Sequence, residues 1–206
     1  MLNKRKKDFL DYGIRVFRSG HKKIRELKRI HSPSLHGFRV WPSSWLLIDY
    51  FKQCGFTRGS RVLDIGCGWG LAGIYCAKNH KSTVTCMDSD SAVFPYVRLH
   101  ADINNVDITT METRFEELTI VNMKNFEIII GADICFWDNM FETLKRLVLR
   151  ALESGVKTVV LSDPGREPFE KLGQYFVEEG KGQIMNWSVT RPHSIQGRIL
   201  RINCPE

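Results

Sequence analysis

The stretch Arg61-Val-Leu-Asp-Ile65-Gly66-Cys67-Gly68-Trp69-Gly70 decides how this chain folds. Val62, Leu63 and Ile65 form a short apolar run of strand type, and glycines at 66, 68 and 70 stop it. Leu71, Ile74, Tyr75 and Ala77 follow in a helical stretch. Working outward, residues 83–87 read as a second strand that ends on Asp88, 92–103 as a helix and 107–111 as a third strand. Residues 126–130 and 158–161 supply a fourth and a fifth strand, with helices at 141–152 and 169–179. Residues 183–189 and 198–202 close the chain as two strands joined by a polar turn region. Short apolar strands separated by helices of about 10–15 residues call for a parallel sheet covered on both faces. The expectation is one α/β, Rossmann-like doubly wound domain, with the closing strand pair as an antiparallel edge.

The glycine turn carries the most informative chemistry. Glycine lets a ligand lie against the main chain, and the helix N-terminus beyond it offers free N–H donors. Two spellings overlap there. Gly68-Trp-Gly70-Leu-Ala-Gly73 matches G-x-G-x-x-G, the dinucleotide fingerprint. Gly66-Cys-Gly68-Trp-Gly70 behind Asp64 matches the G-x-G-x-G of enzymes that use S-adenosylmethionine. Charge separates them: a pyrophosphate, with about two negative charges, is repelled by Asp64, whereas an ammonium and a sulfonium are drawn to it. Register agrees, because only in the second spelling does the first glycine directly follow Ile65. Asp88, twenty-two residues after Gly66 at the end of the next strand, is placed to hold ribose hydroxyls.

The string Val62–Gly70 followed by Asp88 resembles motif I of class I, seven-β-strand S-adenosylmethionine-dependent methyltransferases. The resemblance implies a seven-stranded sheet in the order 3-2-1-4-5-7-6, strand 7 antiparallel, with S-adenosylmethionine as cofactor. The switch-point rule separately places a ligand beyond the carboxyl ends of strands 1 and 4. Three further strings narrow the group: Trp41-Pro-Ser-Ser-Trp45, Gly131-Ala-Asp133-Ile-Cys-Phe136 and Ser162-Asp-Pro-Gly-Arg166. Together they are similar to the protein-lysine methyltransferases with an Asp-x-x-Tyr/Phe motif after strand 4, and within them to the electron-transfer-flavoprotein β-subunit lysine methyltransferase type. That likeness implies a protein substrate methylated on a lysine amine, with Trp41 closing over the methionine end of the cofactor. Glu112 and Phe115 fall where such enzymes contact adenine; Phe115 stacks there or is ordinary packing. Position 136 is Phe where Tyr is common, a departure that bears on any role needing a hydroxyl.

The expected cofactor set is therefore Trp41, Asp64, Gly66, Gly68, Gly70, Asp88, Phe115 and Asp133. The expected catalytic pair is Asp133 and Phe136. A lysine amine, which ordinarily titrates near ~10.4, must lose a proton before attack, and Asp133 can orient it through a hydrogen bond. Phe136 and Trp137 offer π faces to a cation, or else simply cover strand 4. Asp138 competes for the role of Asp133. Arg166 binds an acidic substrate surface, or only closes the turn at Pro164-Gly165.

Of 206 residues 43% are apolar, which excludes wholesale disorder. No apolar run approaches the ~20 residues of a membrane span, and the start of the chain lacks the apolar core of a secretory signal. Charge is concentrated: residues 1–31 carry a net +8 and residues 32–206 a net −1. Phe9, Ile14, Phe17, Ile24, Leu27 and Ile30 recur there at near-helical spacing with a break at Gly20. The division expected is a basic helical extension, 1–35, ahead of a methyltransferase domain, 36–206. The extension packs as surface helices or serves as a handle for an acidic partner, nucleic acid included. Asp8, Asp11 and Glu26 speak against a mitochondrial leader. Six cysteines without a C-x-x-C pair read as reduced thiols of a cytoplasmic protein, and no His/Cys spacing suggests a metal. An RNA or small-molecule methyltransferase and a non-catalytic cofactor-fold module stand as alternatives. The first lacks the Asn/Asp-Pro-Pro-Tyr/Phe string of base-amine enzymes, and the module is opposed by the intact motif.

Overall fold

The computed structural model describes residues 8–33 and 36–204. A hairpin, β1 (Asp8–Asp11) and β2 (Ile14–Phe17), precedes α1 (Lys22–Ile30) and α2 (Ser43–Cys54). The alternating part follows as β3 (Arg61–Ile65), α3 (Leu71–His80), β4 (Thr83–Asp88), α4 (Phe94–Asn104) and β5 (Ile108–Glu112). It continues through α5 (Ile120–Met123), β6 (Ile128–Ala132), α6 (Met140–Glu153), β7 (Thr158–Asp163) and α7 (Glu167–Glu178) to β8 (Gly182–Val189) and β9 (Ile195–Asn203). Seven strands share one sheet in the order β5-β4-β3-β6-β7-β9-β8. With β3 as the first strand, this is the expected 3-2-1-4-5-7-6. The strands β3 to β7 pair in parallel, and β9 is antiparallel to both its neighbours.

Helices cover both faces, which is why β3 reads as a nearly continuous apolar run. Val62 joins the core shared with α2, α3 and α4, while Leu63 and Ile65 join the one beneath α6 and α7. The fourth strand begins two residues later than its apolar run suggests. Phe126 is buried, but its N–H goes back to Met123 to close α5 and not into the sheet ladder. Burial and strand pairing part company at that point.

The N-terminal region corrects one expectation. Residues 8–17 form a hairpin and not a helix; only 22–30 are helical. Tyr12 and Gly13 have φ of 49° and 76°, as a two-residue hairpin turn with the strands' own twist requires. Ile14 and Val16 then face the core and Arg15 faces water, a period of two hidden beneath the wider spacing of Phe9, Ile14 and Phe17. The hairpin is fastened to α4 by two side chains. Asn104 bonds both the N–H and the carbonyl of Arg15, each at 2.8 Å. His100 Nε2 accepts the N–H of Phe17 at 3.3 Å while Nδ1–H donates to the Tyr96 carbonyl. Among the described residues no helix is long and apolar enough to cross a membrane.

Candidate active site

The cleft begins where β3 turns into α3. Gly66 has φ of 60°, and a Cβ there would stand 2.6 Å from Cγ2 of Ile134, so both conformation and space demand glycine. Gly68, with φ of 52°, is different: a Cβ would meet nothing within 4 Å, because the position opens onto the cleft. Gly70 caps α3 with φ of 72° against Val97.

Beneath this turn lies Asp64, 2% exposed. Its Oδ2 accepts the Gly73 N–H at 3.0 Å and faces the Cys86 thiol, tying α3 to β3. Burial pushes its pKa up to about 7 against the pull of the Gly73 bond, which weakens its draw on a cation. Asp64 and Gly70 thus build the turn from below and do not line the main cleft. Asp88 does line it. Its Oδ2 accepts the Gly68 N–H at 3.0 Å and its Oδ1 that of Asp90 at 3.1 Å. Burial raises its pKa, and those two donors oppose the rise.

The cavity holds about 490 Å³ at the carboxyl ends of β3, β4, β5 and β6. Glu112 and Phe115 line it at and beyond the end of β5, Ala132 and Asp133 at and beyond the end of β6, and His36, Gly37 and Trp41 from the segment before α2. That segment is held by two indoles: Trp41 Nε1 donates to the His36 carbonyl at 2.6 Å and Trp69 Nε1 to that of Gly37 at 2.9 Å. Since β4 and β6 flank β3, Asp88 and Asp133 stand on opposite sides of the glycine turn.

Asp133 takes a left-handed φ of 62°, unusual for a residue with a side chain, and is 4% exposed. Three bonds hold it there. Its N–H donates to the Ser162 carbonyl at 2.8 Å, Ser43 Oγ donates to Oδ2 at 2.7 Å, and Arg166 Nη2 donates to Oδ1 at 2.5 Å. The same guanidinium reaches Asp163 Oδ2 through Nη1 at 2.7 Å. Asp163, fully buried, also accepts the N–H groups of Gly165 and Arg166, which shapes the Asp-Pro-Gly-Arg turn. Burial pushes the Asp163 carboxyl up; those N–H bonds and the Arg166 charge pull it down.

Seven of the nine residues expected for cofactor binding and catalysis therefore line one cleft: Trp41, Gly66, Gly68, Asp88, Phe115, Asp133 and Phe136. The expected free π face at Phe136 is altered. His36 stacks on that ring at 4.2 Å, and the Arg166 guanidinium lies 4.4 Å from its centroid. Trp137, half exposed at the rim, keeps an open surface. The strings at 41–45, 131–136 and 162–166 contain Ser43, Asp133, Asp163 and Arg166, but they assign no role to Ser43 or Asp163 and no link from Arg166 to Asp133, and His36 lies outside them. The signal available was the grouping of those three strings, which does not say which of their side chains meet. Among the described residues no group of His, Cys, Asp or Glu gathers to hold a metal.

A family model described as lysine methyltransferase matches residues 28–176. The chain belongs to that family. A histidine protein methyltransferase 1 homolog of Dictyostelium discoideum is 35% identical over 133 residues, which are 61% of this chain and 42% of that protein. An electron transfer flavoprotein beta subunit lysine methyltransferase of Xenopus laevis is 30% identical over 130 residues, 63% of this chain and 52% of the relative. The chain thus spans about two fifths to a half of the curated family relatives it resembles. Among solved structures, a human methyltransferase 10 domain containing protein superposes with a TM-score of 0.62 at 15% identity, covering 88% of this chain and 94% of that one. That likeness establishes the shared methyltransferase fold.

Proposed function

We propose that this chain is an S-adenosylmethionine-dependent methyltransferase acting on a side-chain nitrogen of a protein, lysine first. The observation that carries the reading is the pair of carboxylates, Asp88 and Asp133, on either side of the open glycine position in an acid-rich cleft. Asp90, Glu112 and Glu116 line the same cavity, and Arg114 is the cation among these lining residues. Such a lining suits a donor bearing an ammonium and a sulfonium and disfavours a pyrophosphate. The volume lies within the roughly 300–1,000 Å³ of small-molecule sites.

The backbone at Gly66 and Gly68 would hold the cofactor, Asp88 its ribose, Phe115 its base and Trp41 its methionine end. When bound, S-adenosylmethionine supplies an electrophilic methyl group on sulfur. The protein's part is to position and to exclude water. A carboxylate oxygen of Asp133 accepts a hydrogen bond from the entering amine and aligns its lone pair. Solvent takes the amine's extra proton before entry. Trp41, His36 and Phe136 shield the meeting point.

A histidine acceptor is the second reading, supported by the 35% identical relative. The basic face belongs to the same proposal, as does the division into residues 1–35 and 36–206. Lys22, Lys23, Arg25 and Arg29 point to solvent from α1, with a single described ion pair among them, Lys22 to Glu26 at 3.8 Å. They form a handle for an acidic surface of the substrate protein, with nucleic acid as the alternative partner. The six free cysteines support a cytoplasmic setting.

The test is label transfer. Incubation with methyl-labelled S-adenosylmethionine and a lysate of the source organism should give label that protease removes, and hydrolysis should yield methyl-lysine. Methyl-histidine would establish the second reading. Label removed by nuclease alone would contradict both.

A further inference from the structure

Asp133 and Asp163 lie on adjoining strand ends, both buried, and share one cation. We propose that Arg166 is a positioning residue that keeps Asp133 charged and aimed into the cleft by serving as the common counter-charge of the two carboxylates. The inference rests on the methyl-transfer reading and adds to it how the acceptor carboxylate is kept competent.

The geometry is that of a bridge. Nη2 meets Asp133 at 2.5 Å and Nη1 meets Asp163 at 2.7 Å, so a separate nitrogen of one planar fork serves each carboxylate, where a lysine would bring a single nitrogen on a flexible stem. The remaining neighbours do not replace it. Ser43 from α2 is neutral, and the thiol of Cys135, beyond β6, is held uncharged, pushed up to about 12 by burial. Glu170 from α7 and Arg198 from β9 pair with each other at 2.5 Å. His36 lies on the far face of the cluster's neighbour Phe136, stacked at 4.2 Å, and makes no bond to either carboxylate, while Asp88 stands on the other side of the glycine turn.

Two carboxylates and one guanidinium leave the cluster at −1, a charge suited to an entering amine. Remove Arg166 and the cluster becomes −2 in a buried setting, so the pair takes up a proton near neutral pH. A pH dependence then appears that requires both carboxylates.

Aspartate labelled with ¹³C at the carboxyl, in the full-length protein without substrate, reads this directly by NMR between pH 5 and 9. Arg166→Gln should show one aspartate titration in the range of about pH 6–8 beyond those of the parent protein. Adding Asp163→Asn should abolish it, because one carboxylate then remains.

Label transfer to lysate protein should fall at least tenfold in Arg166→Gln at pH 7, recover toward pH 9, and recover at pH 7 in the double variant. A loss that is flat with pH and not rescued by Asp163→Asn, or an unchanged NMR titration, overturns the proposal. Calorimetry with S-adenosylhomocysteine should give affinities within threefold of the parent; a larger loss makes Arg166 merely structural. If Arg166→Gln does not fold, Arg166→Lys should show a smaller pH-dependent loss, and a flat profile there overturns the proposal. Absence of any S-adenosylmethionine binding by the parent protein would sink the methyl-transfer reading while leaving the NMR result to stand on its own.

Discussion

The two sides of the cleft are built by different means. On the β3–β4 side the decisive groups are backbone: a run of three glycines and the N–H groups that Asp64 and Asp88 collect. On the β6–β7 side they are side chains, Ser43, Asp133, Asp163 and Arg166, drawn from four places across 124 positions of the chain. A backbone cradle is written in consecutive residues, because each glycine answers a local φ. A side-chain cluster is assembled by sheet order, and single positions show nothing of it until β6 and β7 lie side by side.

This difference predicts separable losses. The largest is expected on the cradle side. Gly68→Arg puts a long side chain where a Cβ has nothing within 4 Å but the cleft itself. Calorimetry should show S-adenosylmethionine affinity falling more than a hundredfold. The melting curve should record only about 1–2 kcal/mol for a non-glycine residue at positive φ. Equal losses of stability and affinity would blur the comparison. On the other side, Asp133→Ala should lower turnover at least tenfold and leave cofactor affinity within threefold. Lost affinity there would mean that the two sides act as one.

Smaller effects are expected away from the cleft. Replacing Lys22, Lys23, Arg25 and Arg29 by Glu should raise the KM for the protein substrate about fivefold at low salt. The gap should close as salt rises. Truncation is the poorer experiment, because Ile14, Val16 and Ile24 belong to the main core.

Two buried groups give opposite slopes of stability with pH. His100 has its pKa lowered to about 4 by burial, so its folded form is neutral. Its contribution is present above the unfolded value of ~6.5 and is lost as pH falls through about 4. Asp64, raised to about 7, contributes stability that is full below its unfolded value near ~3.9 and is lost as pH rises through about 7. Asp64→Asn should therefore gain stability relative to the parent between pH 4 and 8, followed by thermal melts. A gain independent of pH would show that Asp64 is ionised in the folded protein throughout.

The sheet order and the glycine turn were legible because hydrophobic period and glycine placement are local signals. Strand β6 began two residues later than expected because Phe126 is buried without joining the ladder. The hairpin at 8–17 was missed because Phe9, Ile14 and Phe17 imitate a helical stripe, while the deciding residues were Tyr12 and Gly13 in left-handed conformation. In the cleft, Asp133 stood out by its place after a strand. Its partners did not: Ser43 lies 90 residues away, and Arg166 suits an acidic substrate surface or a closed turn equally well from the sequence. The sequence leaves Phe136 either as a π face for a cation or as a cover for the strand, and its contacts with His36 and Arg166 are tertiary information.

The most direct measurement is a crystal structure with S-adenosylhomocysteine. The expected result is a nucleoside with its ribose on Asp88, its chain over Gly68, and its sulfur on the side facing Asp133. A cleft left empty at saturating ligand, or a ligand that leaves both Asp88 and the glycine turn untouched, would contradict the central claim.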